Sequence, residues 1–269
     1  IMPGMWCAYL AAVPVPRRRS RIPPVLEPRG LARGTAVLLT GCVSEGLFDA
    51  TNDAAAVLLQ RAGARVIVLR GRCCGALFAH GGDEQAAHDR GGALRRALPE
   101  SADWVVTTAA GCGAHLRNLA HVVPGDPRAP ALEARARDAL ALLAELGLPG
   151  PRARLDETIA VHDPCHLAHG QGVHAEVRSL LGEIPGVRLV DLLESDTCCG
   201  SAGTYNLTEP ALAKRLLDRK LAHIEASGAR VIAAANPGCV LQTRAGVLKR
   251  GLPIEVEHPL DLLVRAHGL

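Results

Sequence analysis

Short apolar runs rich in β-branched residues alternate along this chain with longer stretches of helical spacing. Val37–Thr40 is an apolar run that stops at Gly41-Cys42. Residues 51–62 then carry apolar positions at helical intervals, with Thr51 as the expected cap and Gly63 as the expected stop. Arg65–Leu69 reads as a second strand, a helical stretch runs on to about Leu98, and Trp104–Thr108 reads as a third strand. Leu132–Leu148 looks like one Ala/Leu-rich helix, closed by the turn Pro149-Gly150-Pro151. The scheme then repeats. Strands are expected at Thr158–His162, Val187–Leu192 and Arg230–Ala235, with a clear helix over 209–227. Strands alternating with helices predict an α/β fold, with right-handed crossovers and a mainly parallel sheet flanked by helices in each half.

The cysteines expose the same duplication. There are nine, and eight of them fall into two matched sets. Cys42, Cys73, Cys74 and Cys112 are answered by Cys165, Cys198, Cys199 and Cys239, at offsets of 123, 125, 125 and 127 residues. Their neighbours repeat too, Cys73-Cys74-Gly75 against Cys198-Cys199-Gly200 and Gly111-Cys112 against Gly238-Cys239. Cys7 has no partner in the repeat and reads as a free thiol. The pattern divides the chain into an N-terminal arm or linker over 1–34, a first cysteine-rich domain over 35–150 and a second over 151–269. Each repeated cysteine follows a predicted strand, so three loops of one sheet deliver four sulfurs to the edge where open α/β sheets bind ligands.

Composition removes several alternatives. Among 269 residues the net charge is +3, and the one tight basic cluster is Arg17–Arg19 with Arg21. No basic stripe recurs and aromatics are only 2%, which argues against nucleic-acid binding. No run of about 18 apolar residues offers a membrane span. Residues 1–16 are broken by prolines and precede their basic run, the wrong order for a secretory signal. The expected location is cytoplasmic, or peripheral at the inner face of a membrane. The first residue is Ile1, as in a fragment or a processed product.

In a chain of this kind, clustered cysteines suggest metal or redox chemistry rather than a disulfide scaffold. Four thiolates per half suit an iron–sulfur cluster or zinc. The adjacent pair does not match a zinc ribbon, and it wraps one small ion poorly but can reach two irons of a larger cluster. The Gly after each pair would let the backbone turn and aim N–H groups at sulfur. Structural buried thiols and a dithiol–disulfide switch are the alternatives. No G-x-G-x-x-G fingerprint follows a predicted strand, so a flavin or nicotinamide belongs on a partner.

Taken together, the words LLTGCV at 38–43, CCGAL at 73–77, HDPCHLAHGQGV at 162–173, CCGSAGTYNL at 198–207 and ANPGC at 235–239 resemble a known family. It is the cysteine-rich CCG domain found in heterodisulfide reductase and in the iron–sulfur subunits of 2-hydroxy-acid dehydrogenases. The flanking words look like the iron–sulfur subunit of bacterial glycolate oxidase (glycolate dehydrogenase). The resemblance implies two tandem CCG domains, with the eight repeated cysteines as ligands of an iron–sulfur cluster, 4Fe-4S being expected and zinc the option for one domain. It also implies electron transfer from FAD-binding glycolate oxidase subunits to a quinone or other acceptor, with no activity in this chain alone. A disulfide-reducing protein of the heterodisulfide reductase type and a zinc-stabilised scaffold subunit are the competing functions. Two departures stand out. His115 and Gln242 occupy positions where related motifs end in C-x-x-C, and His115 is a conceivable ligand. The ferredoxin-like C-x-x-C-x-x-C-x-x-x-C-P repeats that usually begin such a subunit do not occur here.

His162, His166, His169 and His174 crowd around Cys165. They read as locally hydrogen-bonded loop residues, with proton donation near a quinone or cluster as the functional alternative. Asp163 and Asn206 read as turn and cap residues, and Tyr205 as packing.

Overall fold

The computed structural model describes residues 10–13 and 22–269. Cys7 and the cluster of Arg17–Arg19 and Arg21 lie outside them. The first half builds a five-stranded sheet from β1 (Val25–Leu26), β2 (Gly34–Leu39), β3 (Ala64–Leu69), β4 (Trp104–Thr107) and β5 (Ala136–Asp138), in the order β1-β3-β2-β4-β5. Only β1 runs antiparallel. The second half builds an all-parallel sheet from β6 (Thr158–His162), β7 (Arg188–Val190), β8 (Val231–Ala234) and β9 (Glu255–Glu257), in the order β7-β6-β8-β9.

The two sheets share one topology. The first parallel strand of each half, β2 or β6, lies inside its sheet, the chain crosses to one side, then returns to the other. Register repeats as well: Ala36 faces Trp104 as Ile159 faces Val231, and Leu39 faces Thr107 as His162 faces Ala234. The mixed α/β fold, with mostly parallel sheets flanked by helices in two tandem copies, is as the sequence predicts. The central strands are apolar throughout because helices cover both faces of a parallel sheet. Val37, Leu38, Ile159, Ala160 and Ile232 are completely buried.

Three local expectations are corrected. Thr51 does not cap its helix, which spans Asp49–Arg61; it is buried in the first turn, where its hydroxyl donates to Asp261 of the second half at 3.0 Å. A tertiary partner has taken the side chain that a cap would have used. The stretch expected as one helix over Leu132–Leu148 is two, Ala129–Arg135 and Ala139–Leu146, split by β5. Pairing with the open edge of β4 outweighs helix propensity there, and Asp138 caps the second helix by accepting from the Leu140 N–H at 2.9 Å. The helical stretch up to Leu98 is interrupted at Gly81-Gly82, and Asp83 caps the longer piece, Glu84–Ala97. Residues 22–34 are tied down in part, because β1 zips onto β3. The helix Pro210–Ser227 opens on a proline at N1 and stops at Gly228 with φ +68°.

The halves share a core. Leu58 and Leu59 of the helix Asp49–Arg61 and Leu142 and Leu143 of Ala139–Leu146 belong to the same buried cluster as Leu181, Leu260 and Leu262. Each such side chain stabilises by about 2 kcal/mol relative to exposure. A polar seam runs beside it. Asn52 donates to the Thr40 carbonyl and accepts from Thr108, and the Thr108 carbonyl bonds His258 Nε2 at 3.0 Å. His258 Nδ1 accepts from the Leu260 N–H at 3.2 Å.

His258 is completely buried, and burial pushes its pKa down to about 4. The unfolded chain protonates near 6.5, so the neutral imidazole contributes fully above that pH and its contribution disappears as pH falls from 6.5 to 4. The loss amounts to about 3 kcal/mol. In urea unfolding, His258→Asn keeps a capping acceptor but loses this dependence. The advantage of the native chain over the variant should shrink by about 2–3 kcal/mol between pH 7 and pH 4.5; a constant difference would refute the assignment.

Candidate metal centre

All eight repeated cysteines sit beyond the carboxyl ends of the parallel strands, on loops or the first turn of the following helix. Cys42 and Cys165 lie three residues past β2 and β6, and Cys112 and Cys239 five residues past β4 and β8, in the helices Ala110–Leu116 and Pro237–Arg250. Cys73-Cys74 and Cys198-Cys199 follow β3 and β7. The structure therefore brings each sequence-predicted set of four to one place. In the first half Cys42 exchanges a hydrogen bond with Cys73, Cys73 with Cys74, and Cys74 with Cys112. The second half repeats the chain through Cys165, Cys198, Cys199 and Cys239. The Cys42 and Cys73 sulfurs are 3.5 Å apart.

This crowding sets the proton affinities. Hydrogen bonds from Cys42 and Cys74, with the Gly75 N–H, hold Cys73 far below an ordinary thiol despite its burial. Cys165, Cys199 and the Gly200 N–H do the same for Cys198. The outer members Cys42 and Cys165 are pushed up by their bonds to Cys73 and Cys198 and by burial. Cys239 is held well below the usual range by Cys199, His162 and Asn236, against burial. Sulfurs that share protons at this spacing are arranged to share a soft cation instead.

The third letter of the repeated motif has a steric cause. Gly75 and Gly200 adopt φ +96° and +89°, and a Cβ would lie 2.8 Å from the Ala87 carbonyl oxygen or 2.4 Å from that of Ala213. Their N–H groups donate to Cys73 and Cys198 sulfur at 3.4 and 3.3 Å. The turn thus packs against the following helix while its amide faces sulfur. Sequence reasoning anticipated the turn and the N–H, but not the helix behind it.

The first set opens onto a cavity of about 230 Å³ whose other wall belongs to the second half, including His166, Ser201, Asn206 and Asn236. The walls are locked together. The rings of His80 and His166 stack at 5.0 Å, and Gln171 donates to the Ala110 carbonyl at 3.0 Å. Asn236 links the sets directly, accepting from the Gly111 N–H at 3.4 Å and donating to Cys239 sulfur at 3.5 Å. Asn236 was missed as a site residue; its place in the word ANPGC was the available signal.

The histidines divide. His162 is buried, at 1% exposure, and its Nδ1 meets the Ser195 carbonyl at 2.9 Å. His166 faces the cavity, His169 approaches Asp196 at 3.6 Å with both side chains exposed, and His174 precedes the helix Ala175–Gly182. His115 is buried, and burial is the main cause that lowers its pKa. Asp163 is more than a turn residue: although burial opposes it, a two-pronged bond from Arg178, at 2.7 Å to each oxygen, lowers its pKa. Asn206 donates to Gln242 at 3.1 Å, and Tyr205 begins a short helix.

Four soft donors per set, N–H groups aimed at sulfur and a cavity beside the first set fit a soft metal or iron–sulfur centre. Fold and site together define a tandem α/β thiol protein with two matched candidate centres, the first opening onto a cavity walled by both halves. The chain belongs to the CCG cysteine-rich domain family, whose pattern it matches twice, over residues 36–117 and 159–244.

Among curated relatives it is 34% identical over 273 residues to the "Probable glycolate oxidase iron-sulfur subunit" of Bacillus subtilis (strain 168), covering 97% of this chain and 61% of that protein. It is 35% identical over 216 residues to the "Glycolate oxidase iron-sulfur subunit" of Escherichia coli (strain K12), covering 76% of this chain and 52% of that one. The "Lactate utilization protein A" of Geobacillus kaustophilus (strain HTA426) is 28% identical over 232 residues, covering 84% of this chain and 97% of its own length. The chain thus spans little more than half the length of the first two. No described helix is long and apolar enough to cross a membrane.

The steric role of the motif glycines is measurable. Gly75→Ala and Gly200→Ala combine a strained φ with a backbone clash and should destabilise by about 2 kcal/mol or more in denaturant unfolding. Gly71, with φ +65° and open space around it, should lose only about 1 kcal/mol on the same change. Equal losses at all three would show that the clash with the helix is unimportant.

Proposed function

We propose that this chain is the iron–sulfur electron-transfer part of a 2-hydroxy-acid oxidase of the glycolate oxidase type. It would take electrons from FAD-binding partner subunits and pass them to a quinone-type acceptor. The observation that carries this reading is the pair of four-thiol sets, the first lining the cavity and the second joined to it through Asn236. The ligands would be Cys42, Cys73, Cys74 and Cys112 in one half and Cys165, Cys198, Cys199 and Cys239 in the other. A bound cluster, 4Fe-4S being the form proposed, supplies one-electron storage at each set.

The residues of the chain do the rest. Cys74, Cys199 and Cys239 bring their sulfurs in from buried walls, which keeps water away from part of each set. The N–H groups of Gly75 and Gly200 and the amide of Asn236 stabilise negative charge on sulfur. The His80–His166 stack holds the two walls at fixed separation. The relatives' names support the substrate class, two speaking of glycolate oxidase and one of lactate utilization. The cavity beside Cys42 and Cys73 favours a second reading, reduction of a small disulfide in the manner of heterodisulfide reductase.

Anaerobically prepared protein should contain iron and acid-labile sulfide. Cys199→Ser should lower both, whereas Cys7→Ser, outside the repeat, should leave them unchanged. Stoichiometric zinc without sulfide would instead favour a zinc-stabilised scaffold. Glycolate-dependent dye reduction should be absent with the chain alone and appear when an FAD-binding partner is added. Turnover by the flavin-free chain would overturn the subunit reading, and oxidation of the reduced protein by a small disulfide would favour the second one.

A further inference from the structure

The duplication lets each residue of one half be compared with its counterpart in the other, and two buried positions exchange a leucine for a titratable side chain. His162 ends β6 where Leu39 ends β2: each pairs across the sheet with the last residue of the neighbouring strand, Ala234 or Thr107. On the helix behind each CCG turn, the buried positions Ala87, Gly91, Leu94 and Leu98 are answered by Ala213, Leu217, Lys220 and Ile224. In the first half Leu39 and Leu94 pack in one apolar cluster with Cys74. In the second half the same two places hold His162 and Lys220, each at 1% exposure. Burying an imidazole and an amine where the fold accepts two leucines costs several kcal/mol unless both are satisfied.

A local insertion satisfies part of that requirement. The repeat offset is 123 residues along β7 and 125 at Cys198, so two extra residues lie in the loop over 191–197. That loop presents the Ser195 carbonyl to both groups, at 2.9 Å from His162 Nδ1 and 3.2 Å from Lys220 Nζ. Lys220 also donates to the Glu194 carbonyl. Glu194 itself sits at φ +54°, a left-handed backbone that costs about 1 kcal/mol for a residue with a Cβ. Chain length and backbone strain are therefore both committed to placing these two carbonyls.

The Ser195 carbonyl can only accept, so Nδ1 of His162 carries a proton, and in the neutral ring Nε2 presents the lone pair. That Nε2 is buried and has no hydrogen-bond partner of ordinary length, the Cys239 sulfur being the group it acts on. It faces Cys199 and Cys239, and its ligand atom and theirs all lie within 4.8 Å of one another. Among the described residues this is the one group of three metal-capable side chains drawn so close together. Ring orientation fixed through one nitrogen, with the other left bare beside two buried sulfurs, is the arrangement of a metal-binding histidine. His115 of the first half also has an unpartnered Nε2, but no such convergence with two sulfurs.

We propose that His162 is a metal ligand of the second centre, through Nε2, alongside Cys199 and Cys239. The two centres then differ in kind: the first is all-thiolate and opens onto the cavity, and the second is mixed imidazole–thiolate, with the two sulfurs beside His162 buried. An imidazole donor changes the ligand field and the charge distribution at the metal, so the two centres differ in potential. This deepens the reading above and rests on it only for the identity of the metal.

The test is metal-edge X-ray absorption on the anaerobically prepared chain, at whichever of iron or zinc it holds. Where the metal is paramagnetic, pulsed EPR on ¹⁵N-histidine-labelled protein accompanies it. The expected result is nitrogen at bonding distance in the native chain, lost in His162→Leu, which installs the residue of the first half. With iron present, the potential of one centre should also shift in that variant while the other is unchanged. Absence of nitrogen coordination in the native chain overturns the proposal whether or not the variant folds. Nitrogen coordination that persists in folded His162→Leu overturns it too, and assigns the nitrogen to another histidine. A zinc-only protein whose nitrogen signal vanishes in His162→Leu supports the proposal while removing the iron–sulfur reading.

Discussion

Four thiols gathered in a partly buried pocket repel one another as soon as they ionise, so the arrangement is stable only with shared protons or a cation among them. The proton affinities follow that constraint, with Cys73 and Cys198 drawn down and Cys42 and Cys165 pushed up by the bonds between them. Around each set the backbone is bent to assist. The CCG glycine takes a conformation open to few other residues, turns its amide toward sulfur and packs against a helix carbonyl. Cysteine placement, glycine conformation and helix position form a single requirement rather than three separate features.

That requirement is met twice, and the duplication has a consequence for function. A single α/β half presents its sulfurs at an open sheet edge exposed to water. Two halves face to face cover part of that edge, and residues of the second half form one wall of the cavity of the first. The shared core through Leu58, Leu142, Leu181 and Leu260, with the polar seam from Thr51 and Thr108 to Asp261 and His258, gives the walls a rigid foundation. In the proposed electron-transfer role such rigidity helps, because donor and acceptor need little rearrangement.

The halves are not equivalent, however. Duplication copies every residue, so a later departure at a buried position is tolerated only where the surroundings change with it. His162, Lys220 and the two extra residues of the loop over 191–197 depart together and meet at the Ser195 carbonyl. On the proposed reading, two centres built on one plan thereby differ in ligand set.

The sequence by itself determined the α/β class, the two copies, the eight cysteines and their place after the strands. These are properties of local pattern: apolar runs of strand length, helical spacing, and a repeat read directly by offset. Tertiary structure alone decided the rest. It split the stretch over Leu132–Leu148, because an open strand edge at β4 outbid local propensity. It took Thr51 from its cap to a partner 210 residues away. It singled out His162 from three neighbouring histidines, which look alike in sequence. Only the β6 register and the loop over 191–197 determine which imidazole is buried, which nitrogen is held by a carbonyl and which faces sulfur. Local sequence encodes the tendencies of a segment, whereas burial and the direction of a lone pair depend on residues distant in the chain.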